Sequence, residues 1–271
     1  MKMKRDNEII LLEAIGYALD FFDNNIKDAG TFSKKETNRD LVSRWDVLIE
    51  EMLKQKLKES NIPIIGEETA NDTEYKSEAW VIDPIDGTTN FVSGIPFYGI
   101  SVGLIENGNF ILGGFGMPKT KELFYILNNC AYYNEKKIEL LPGNNIEDSL
   151  ISCSFSSKAI KNDIDVRKSE FLAFGTLNDL SRGCLRTGSA ATNICYTSIG
   201  KFQASYGLNA RIWDIAGALA IAQKSGCQIQ IQKIDATYYN YIVGHGSVVE
   251  EISNTLTKFS LIDPSKINII N

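Results

Sequence analysis

The sequence predicts a layered fold of helices and sheets, with an α+β first half and an α/β second half. Three observations predict it: two amphipathic helix patterns open the chain, hairpin patterns fill its middle, and strands alternate with helices after about residue 145. We therefore expect two units, residues 1–145 and residues 146–271, with a soft boundary near Leu141–Asn145.

The first half begins with two helices. The first carries apolar residues at helical spacing: Leu12, Ile15, Leu19 and Phe22. A polar segment from Asn24 to Asn38 separates it from the second helix, which we predict from about Ser43 to Ser60, ahead of Pro63. Both patterns have one apolar face, which is typical of amphipathic helices.

The rest of the first half is rich in strand patterns. IPIIGEE and AWVIDPIDG predict short buried strands. YGISVGLIENGNFILGGFGM predicts a hairpin that turns at Glu106–Asn109, and KELFYILNNCAYYNEKKIEL predicts another that turns at Asn128–Asn129. Paired strands at this density indicate a mostly antiparallel sheet beside the helices.

In the second half, strand and helix patterns alternate. The predicted strands are SLISCSFS, CLRTG, FQASYGL, QIQIQ and YIVGHG. The predicted helices lie around Val166–Phe174, from Ser189, over IWDIAGALAIAQKSG to Gly226, and over Val248–Phe259. Such alternation is typical of α/β layering.

The composition excludes several classes of function. The 28 basic and 34 acidic residues give a net charge of −6, which argues against non-specific binding to nucleic acid. Five scattered cysteines and a single histidine make a zinc site improbable and favour reduced thiols in a cytoplasmic protein. No apolar stretch is long enough to span a membrane. Acidic residues interrupt the apolar part of the N-terminal segment, which argues against a signal peptide.

Two acidic pairs lie where apolar strand patterns end. Glu67 and Glu68 follow IPIIG, and Asp83 and Asp86 lie on either side of Pro84 in VIDPIDGTTNF. Acids often mark the point where a buried strand emerges into water, so each pair alone has a structural explanation. We expect Asp83 to leave the core directly after the strand. If the carboxylates converge, they need cations, and hard oxygen ligands suit magnesium.

Three further features are weak signals by themselves. Gly87 permits a tight turn with exposed N–H groups, and Thr88 adds a hydroxyl. GSAA at 188–191 lies between a strand and a helix, where an anion can bind. Asp214 opens the helix IWDIAGALAIA, and a first-turn acid is favoured there by the helix dipole alone.

The order of these motifs carries more information than any one of them. GEE, DPIDGTTNF, GSAA and WDIAG occur in succession in the region from Asp46 to Gly226. This combination resembles the inositol monophosphatase-like family of magnesium-dependent, lithium-sensitive phosphatases. The resemblance implies an αβαβα sandwich, a homodimer, and two to three Mg²⁺ ions per site.

The resemblance also implies roles for individual residues. The metal ligands would be Glu67, Asp83, the carbonyl of Ile85, Asp86 and Asp214. Asp46 would lie near a third, more weakly bound magnesium. Glu68 would lie next to the metal ligands without binding the metal itself. Glu67 and Thr88 would orient the attacking water and take up its proton, and Asp83 would bridge two metals.

Phosphate and substrate contacts follow from the same resemblance. The N–H groups of Gly87 and Thr88 would cradle the phosphate. The other residues expected to face the substrate are Gly188, Ser189, Ala190, Arg211 and Asp214. The implied reaction is hydrolysis of a small phosphorylated metabolite, an inositol phosphate or a sugar phosphate, by metal-activated water.

The substrate is the open point. Several inositol-phosphate enzymes carry a glutamate shortly before the WD motif, and here that position is Gly207. Histidinol phosphate, fructose bisphosphate and 3′-phosphoadenosine 5′-phosphate are alternative substrates. Arg211 could meet a second charged group, lie on the surface, or belong to a dimer contact. We expect Lys35 in a solvated loop and His245 in a surface turn.

A hypothesis of a different class is a metal-stabilised regulatory or binding protein on the same fold. The complete acid set argues against it, because Glu67, Asp83, Asp86 and Asp214 would be costly to keep clustered without a cation.

Overall fold

The computed structural model describes residues 2–25, 38–70, 77–139, 143, 145–155 and 164–270, with the side chains of 2–6 and 38–43 outside the description. Lys35 and most of the expected boundary near residue 145 lie outside the described residues.

The described residues form helices and strands in both halves of the chain. The helices are α1 (Lys2–Asn25), α2 (Asn38–Leu57), α3 (Thr88–Ser93), α4 (Ile164–Leu180), α5 (Ala190–Ser198), α6 (Ile212–Ser225) and α7 (Gly246–Lys258). The strands are β1 (Ile64–Gly66), β2 (Glu78–Asp86), β3 (Gly99–Glu106), β4 (Asn109–Met117), β5 (Glu122–Leu127), β6 (Cys130–Tyr133), β7 (Lys136–Lys137), β8 (Leu150–Ser154), β9 (Gly183–Leu185), β10 (Ala204–Arg211), β11 (Gln228–Lys233), β12 (Tyr238–Gly244) and β13 (Asn268–Ile270).

The first sheet contains β1 to β7 in the order of the sequence. Strands β1 and β2 are parallel, whereas every later neighbouring pair, from β2–β3 to β6–β7, is antiparallel. Both predicted hairpins are present, as β3–β4 and β5–β6. The expectation of a mostly antiparallel first sheet is therefore confirmed.

The second sheet has the order β13-β11-β12-β10-β8-β9 and mixes two directions. Strand β8 is parallel to both of its neighbours, β9 and β10, while β10, β12, β11 and β13 pair antiparallel. The carboxyl ends of β8, β9 and β10 therefore lie at one edge of the sheet, and the chain segments that follow them meet there.

Five layers result. Helices α1 and α2 cover the outer face of the first sheet, α5 and α6 lie between the two sheets, and α4 and α7 cover the outer face of the second. The αβαβα sandwich expected from the sequence is confirmed. Helix α6 lies directly on β3 and β4 because small residues face it: a Cβ on Gly103 would be only 2.6 Å from the backbone N of Gly217.

The structure differs from the expectations at several elements. Helix α2 begins at Asn38, before the expected Ser43, and α4 extends over Ile164–Leu180. The turn after Gly87 contains the short helix α3, which the sequence did not predict. Strand β13 was also not predicted from the sequence. All strands of the first sheet precede residue 145 and all strands of the second follow it, but α5 and α6 pack against both sheets. The two-unit boundary stays a prediction.

The expectation that Asp83 leaves the core is wrong. Strand β2 continues to Asp86, and every residue from Ala79 to Asp86 is buried. Its pairing with β3 shifts register between Asp83 and Asp86, since two residues of β2 there oppose one of β3. A bulge of this kind bends the strand and redirects side chains without ending it. None of the described helices is long and apolar enough to cross a membrane.

Candidate active site

Three carboxylates from two distant elements converge between the sheets. Asp83 and Asp86 lie at the end of β2, and Asp214 lies in the first turn of α6. One carboxylate oxygen from each residue lies within 4.8 Å of the others. Asp83 is 2% exposed and Asp86 is 6% exposed, so the cluster is shielded from bulk water.

The bulge in β2 orients the first of these carboxylates. Asp83 Oδ1 accepts a hydrogen bond from the N–H of Ile85 at 2.9 Å, which closes a tight local turn around Pro84. The carbonyl of Ile85 accepts a hydrogen bond from Thr88 Oγ1 at 3.0 Å. The sequence DPIDGT thus brings two carboxylates, one carbonyl and one hydroxyl to a single place.

Gly87 is required for the turn that follows. Its φ of 87° is in the left-handed region, and a Cβ there would lie 2.6 Å from the carbonyl oxygen of Phe97. Asn90, one turn into α3, donates from Nδ2 to the carbonyls of Phe97 (2.7 Å) and Thr187 (2.8 Å). Sequence reasoning missed Asn90, which joins the DPIDGTTNF turn to the GSAA loop; the only signal was its place within that motif.

Helix α5 points its N-terminus at Asp86. The hydroxyl of Ser189 and the N–H of Ala191, the latter at 3.0 Å, both donate to Asp86 Oδ2. Ser189 is only 1% exposed and also accepts the N–H of Thr192 at 3.0 Å as the N-cap of α5. The structure therefore places Ser189 against a carboxylate, while the neighbouring Gly188 is exposed.

Asp214 fulfils its helix-capping role and faces the cluster at the same time. Its Oδ2 accepts the N–H of Arg211 at 3.2 Å, across the first turn of α6. The same carboxylate lies within the group formed with Asp83 and Asp86. The two alternatives weighed from the sequence for this residue are compatible.

The GEE motif forms a single 3₁₀ turn, Glu67–Thr69, directly after β1. Because β1 is parallel to β2, the two acidic motifs lie at the same sheet edge, and the Glu67 carboxyl hydrogen-bonds with that of Asp83. Glu68 is exposed. Asp46, on α2, is 3% exposed, and burial followed by the charges of Glu68 and Glu67 raises its pKa to about 8.

Glu50 holds this turn in place and was missed by sequence reasoning. It lies one helical turn after Asp46, is 1% exposed, and accepts the N–H of Glu68 at 2.9 Å. It also accepts from Thr69 Oγ1 at 2.7 Å and pairs with Lys54 at 2.6 Å. The available signal was the i, i+4 spacing of Asp46 and Glu50, which places both on one face of α2.

The electrostatics of the cluster fit a divalent cation. Burial, followed by the charges of Glu67, Asp86 and Asp214, raises the pKa of Asp83 well above its usual range. Burial likewise raises the pKa of Asp86 to about 7, although the Ser189 and Ala191 hydrogen bonds oppose the shift. The pKa of Asp214 is also raised, by burial and then by Asp86 and Glu67. Clustered carboxylates with oxygen-only donors are the ligands that Mg²⁺ and Ca²⁺ prefer.

A cleft of about 160 Å³ opens beside the carboxylates. Asp86 and Asp214 line it. The other lining residues are Ser154, Phe155, Arg186, Gly188, Ala190, Leu208, Asn209 and Ala210. Sequence reasoning missed Phe155 and Arg186, whose only signal was that each follows a predicted strand of the second half.

The position of the missing glutamate is filled from a neighbouring strand. Gly207 on β10 pairs with Tyr241 on β12, and a Cβ on Gly207 would lie 2.7 Å from Cζ of that tyrosine. The hydroxyls of Ser205 and Ser154 lie beside the buried Tyr241 hydroxyl, whose pKa is raised by burial. A neutral aromatic side chain thus occupies the space next to Gly207.

The remaining candidates lie as follows. Arg211 is half-buried: it donates to Thr237 Oγ1 at 2.9 Å and its guanidinium lies 3.9 Å from the Tyr238 ring centroid. The surface-turn expectation for His245 is wrong, because the residue is 8% exposed as the N-cap of α7 and burial lowers its pKa. Gly143 packs against the His245 ring, which explains the burial.

Comparison with known proteins agrees with this arrangement. The profile of the inositol monophosphatase family matches residues 8–255. Fructose-1,6-bisphosphatase/inositol-1-monophosphatase of Aquifex aeolicus is 26% identical over 199 residues, covering 71% of this chain and 73% of that protein. Nus factor SuhB of Xylella fastidiosa is 26% identical over 195 residues, covering 71% and 69%.

Among solved structures, inositol monophosphatase from Anabaena (Nostoc) sp. PCC 7120 superimposes with a TM-score of 0.76 at 22% identity, covering 95% of this chain and 97% of that one. This likeness shows a shared fold, and the family profile spans both acidic motifs and helix α6. The chain belongs to the inositol monophosphatase family.

Proposed function

We propose that the protein is a magnesium-dependent phosphomonoesterase that hydrolyses a small phosphorylated metabolite by means of a metal-activated water. The observation that carries the proposal is the convergence of the Asp83, Asp86 and Asp214 carboxylates to within 4.8 Å beside an open cleft. Family membership supports phosphatase chemistry, and the donor set supports the choice of metal.

The metal would be held by the three aspartates, by Glu67 and by the carbonyl of Ile85, with Asp46 near a third, weaker ion. When bound, magnesium lowers the pKa of a water, neutralises phosphate oxygens and stabilises the leaving alkoxide. We propose two to three ions per site because Glu67 adjoins the cluster of three aspartates through Asp83, and the charges of Glu67 and Glu68 act on Asp46.

The protein groups orient the water and the phosphate. Glu67, whose pKa is raised by burial, would take up the proton of the water at its carboxylate. Thr88 Oγ1, which donates to the Ile85 carbonyl, would direct the attacking water. The N–H groups of Gly87 and Thr88, at the start of α3, would cradle the phosphate.

Around the substrate, we propose contacts from Gly188 and Ala190, which line the cleft. Ser189 would act through Asp86, to which it donates, and Asp214 would meet both metal and substrate. Glu68 would act as a supporting residue behind the metal ligands, and its N–H donates to Glu50. Arg211 contacts Tyr238 and Thr237, so a substrate contact would need its guanidinium to turn.

The proposed substrates are an inositol phosphate or a sugar phosphate. Histidinol phosphate, fructose bisphosphate and 3′-phosphoadenosine 5′-phosphate are the alternatives, and Phe155 is the aromatic side chain in the cleft that a base could stack on. We also propose that the protein is a cytoplasmic homodimer that is inhibited by lithium.

A second candidate function is a regulatory or binding role on the same fold. The name Nus factor, carried by the Xylella fastidiosa relative, is the specific observation in its favour. Under this alternative the metal site would stabilise the fold, and phosphate release would be absent even when magnesium is bound.

Phosphate release from a panel of esters tests the proposal. Metal-stripped protein should be inactive, magnesium should restore turnover, and lithium should suppress it. Asp83→Asn and Asp86→Asn should abolish turnover while the protein stays folded by circular dichroism. Asp179→Asn, which removes an exposed carboxylate from α4, is the matched control and should be fully active. A folded, magnesium-loaded protein that releases no phosphate from any ester would favour the regulatory role.

A further inference from the structure

Arg186 is a cation in the cleft wall that no described acidic residue pairs with. It is exposed, lines the same cleft as Asp86 and Asp214, and its guanidinium carbon lies 5.3 Å from the centroid of the Phe155 ring. Within the described part of the chain, no carboxylate forms an ion pair with it. An arginine held on an aromatic ring beside a site keeps its donors free for a ligand.

The topology explains why this pair faces the site. Phe155 is the first residue after β8, which ends at Ser154, and Arg186 is the first residue after β9, which ends at Leu185. The two strands are parallel neighbours, so their ends reach the same edge of the sheet. In sheets that contain parallel strands, ligands bind in the crevice at the carboxyl ends.

The bulge in β10 adds a polar residue to the same cleft. The pairing of β10 with β12 shifts register between Gly207 and Ala210, and Asn209 adopts a positive φ of 50°. Asn240 Oδ1 accepts the N–H of Asn209 at 2.8 Å and holds this bulge. Asn209 lines the same cleft as Arg186 and adds a neutral polar residue to it.

The cleft therefore combines charges of both signs. Asp86 and Asp214, which would hold metal and the reacting phosphate, line it together with the cation Arg186. Gly207 stands where several inositol-phosphate enzymes have a glutamate, so the carboxylate that would repel an anion there is absent. The ring of Tyr241 fills that space. A substrate with one phosphate and a neutral body would leave the guanidinium without an anion.

We infer that Arg186, supported by Phe155, binds a second anionic group of the substrate. The substrate class is a phosphate ester that carries another phosphate or a carboxylate on its non-reacting side, in preference to the monophosphate of a neutral polyol. A guanidinium binds either anion through two parallel N–H donors. The inference rests on the proposed function, and it assigns this recognition to Arg186, since Arg211 is engaged by Tyr238 and Thr237.

The test compares matched esters on wild type and Arg186→Ala. A hexose bisphosphate is set against the two hexose monophosphates, and phosphoglycerate against glycerol phosphate, so that a second phosphate and a carboxylate are probed separately. Wild type should prefer the doubly anionic member by about tenfold in kcat/KM, the size of one charge-assisted contact at a partly exposed position. Arg186→Ala should remove this preference by raising KM for the doubly anionic esters more than for the monophosphates.

Two further variants sharpen the result. Arg186→Lys keeps the positive charge but lacks the two parallel N–H donors of the guanidinium, so it should retain part of the preference. Arg182→Ala removes an exposed arginine four residues earlier that does not line the cleft, and should behave like wild type. The preference of wild type should weaken with added salt more than that of Arg186→Ala, because an exposed charge pair is screened.

Some outcomes would overturn the inference. Equal kcat/KM of wild type for both members of each pair, or an equal loss on all esters in Arg186→Ala, would do so while leaving the phosphatase function intact. If wild type releases no phosphate from any ester, the proposed function fails. Calorimetric binding of the same esters to wild type and Arg186→Ala then still decides the inference, and equal affinities would refute it.

Discussion

The ring of Tyr241 lies across Gly207, its partner on the neighbouring strand. A Cβ on Gly207 would be 2.7 Å from Cζ and 2.9 Å from the hydroxyl oxygen of Tyr241. Gly207 is also paired with Ser154 on its other side, so three strands meet at this point next to the cleft. The ring of Tyr241 thus packs in this position because residue 207 has no side chain.

Gly207→Ala should therefore destabilise the protein. The added methyl group overlaps a fully buried ring, and overpacking of this kind costs about 1–3 kcal/mol. Thermal and urea unfolding would measure the loss, and Tyr241→Leu in the same chain should recover part of it by freeing the space.

Gly175→Ala is the matched control for that change. A Cβ at Gly175, within α4, meets nothing within 4 Å. The substitution should stabilise the protein by about 0.5–1 kcal/mol, since alanine is favoured over glycine in a helix. Equal effects of the two alanines would show that the Tyr241 ring does not restrict position 207.

Ser189→Ala should weaken magnesium activation without unfolding the protein. The Ser189 hydroxyl donates to Asp86 and fixes the direction of its carboxylate. Loss of a hydrogen bond that orients a metal ligand typically costs about 10–100-fold in metal affinity or activity. Activity titrated with magnesium should show a higher half-saturating concentration.

Ser198→Ala serves as the comparison, because its hydroxyl bonds only to the Cys195 carbonyl at the far end of the same helix. Magnesium activation of this variant should match wild type. A similar loss in both serine variants would mean that general stability of α5, and not the Asp86 contact, is responsible.

Glu50→Ala should loosen the turn that carries Glu67. It leaves the N–H of Glu68 without its acceptor and removes the ion pair with Lys54, and an unpaired buried donor costs about 1–3 kcal/mol. We expect a lower melting temperature and a higher magnesium requirement. Glu51→Ala, the exposed next residue of α2, should change neither. An unchanged magnesium requirement in Glu50→Ala would contradict a positioning role.

Magnesium should stabilise the protein more at alkaline than at acidic pH. The pKa values of Asp86 (about 7) and Asp46 (about 8) are raised in the folded protein above their unfolded values of about 4. Between about pH 4 and those values the metal-free fold holds protons that the unfolded chain has released. The stability of the metal-free protein therefore falls as pH rises through this window.

Bound magnesium replaces those protons, so the increase in melting temperature on adding magnesium should grow from about pH 6 to about pH 8. Asp86→Asn should flatten this dependence. A magnesium effect that is constant with pH, or larger in acid, would contradict the proton–metal competition.

The predictions from sequence were best where one short segment contains its own chemistry. DPIDGT places two carboxylates, a carbonyl and a hydroxyl through local turn geometry, and Gly87 adopts the positive φ that its residue type suggested. The layered fold followed from periodicity and order of elements. The burial of Asp83 was not foreseen, because a bulge in β2 depends on its pairing with β3.

The sequence by itself determined the helix and strand patterns and the succession of acidic motifs, since these follow from local spacing and residue type. The order of the layers and the proposed metal ligands came from the family resemblance that those motifs carry. Only the tertiary structure decided that Ser189 donates to Asp86 and that Glu50 accepts the N–H of Glu68 in the GEE turn. It also decided that Tyr241 fills the space at Gly207 and that Arg186 lines the cleft. The physical reason is that each of these relations joins residues from different elements, whose distances depend on sheet register and layer packing.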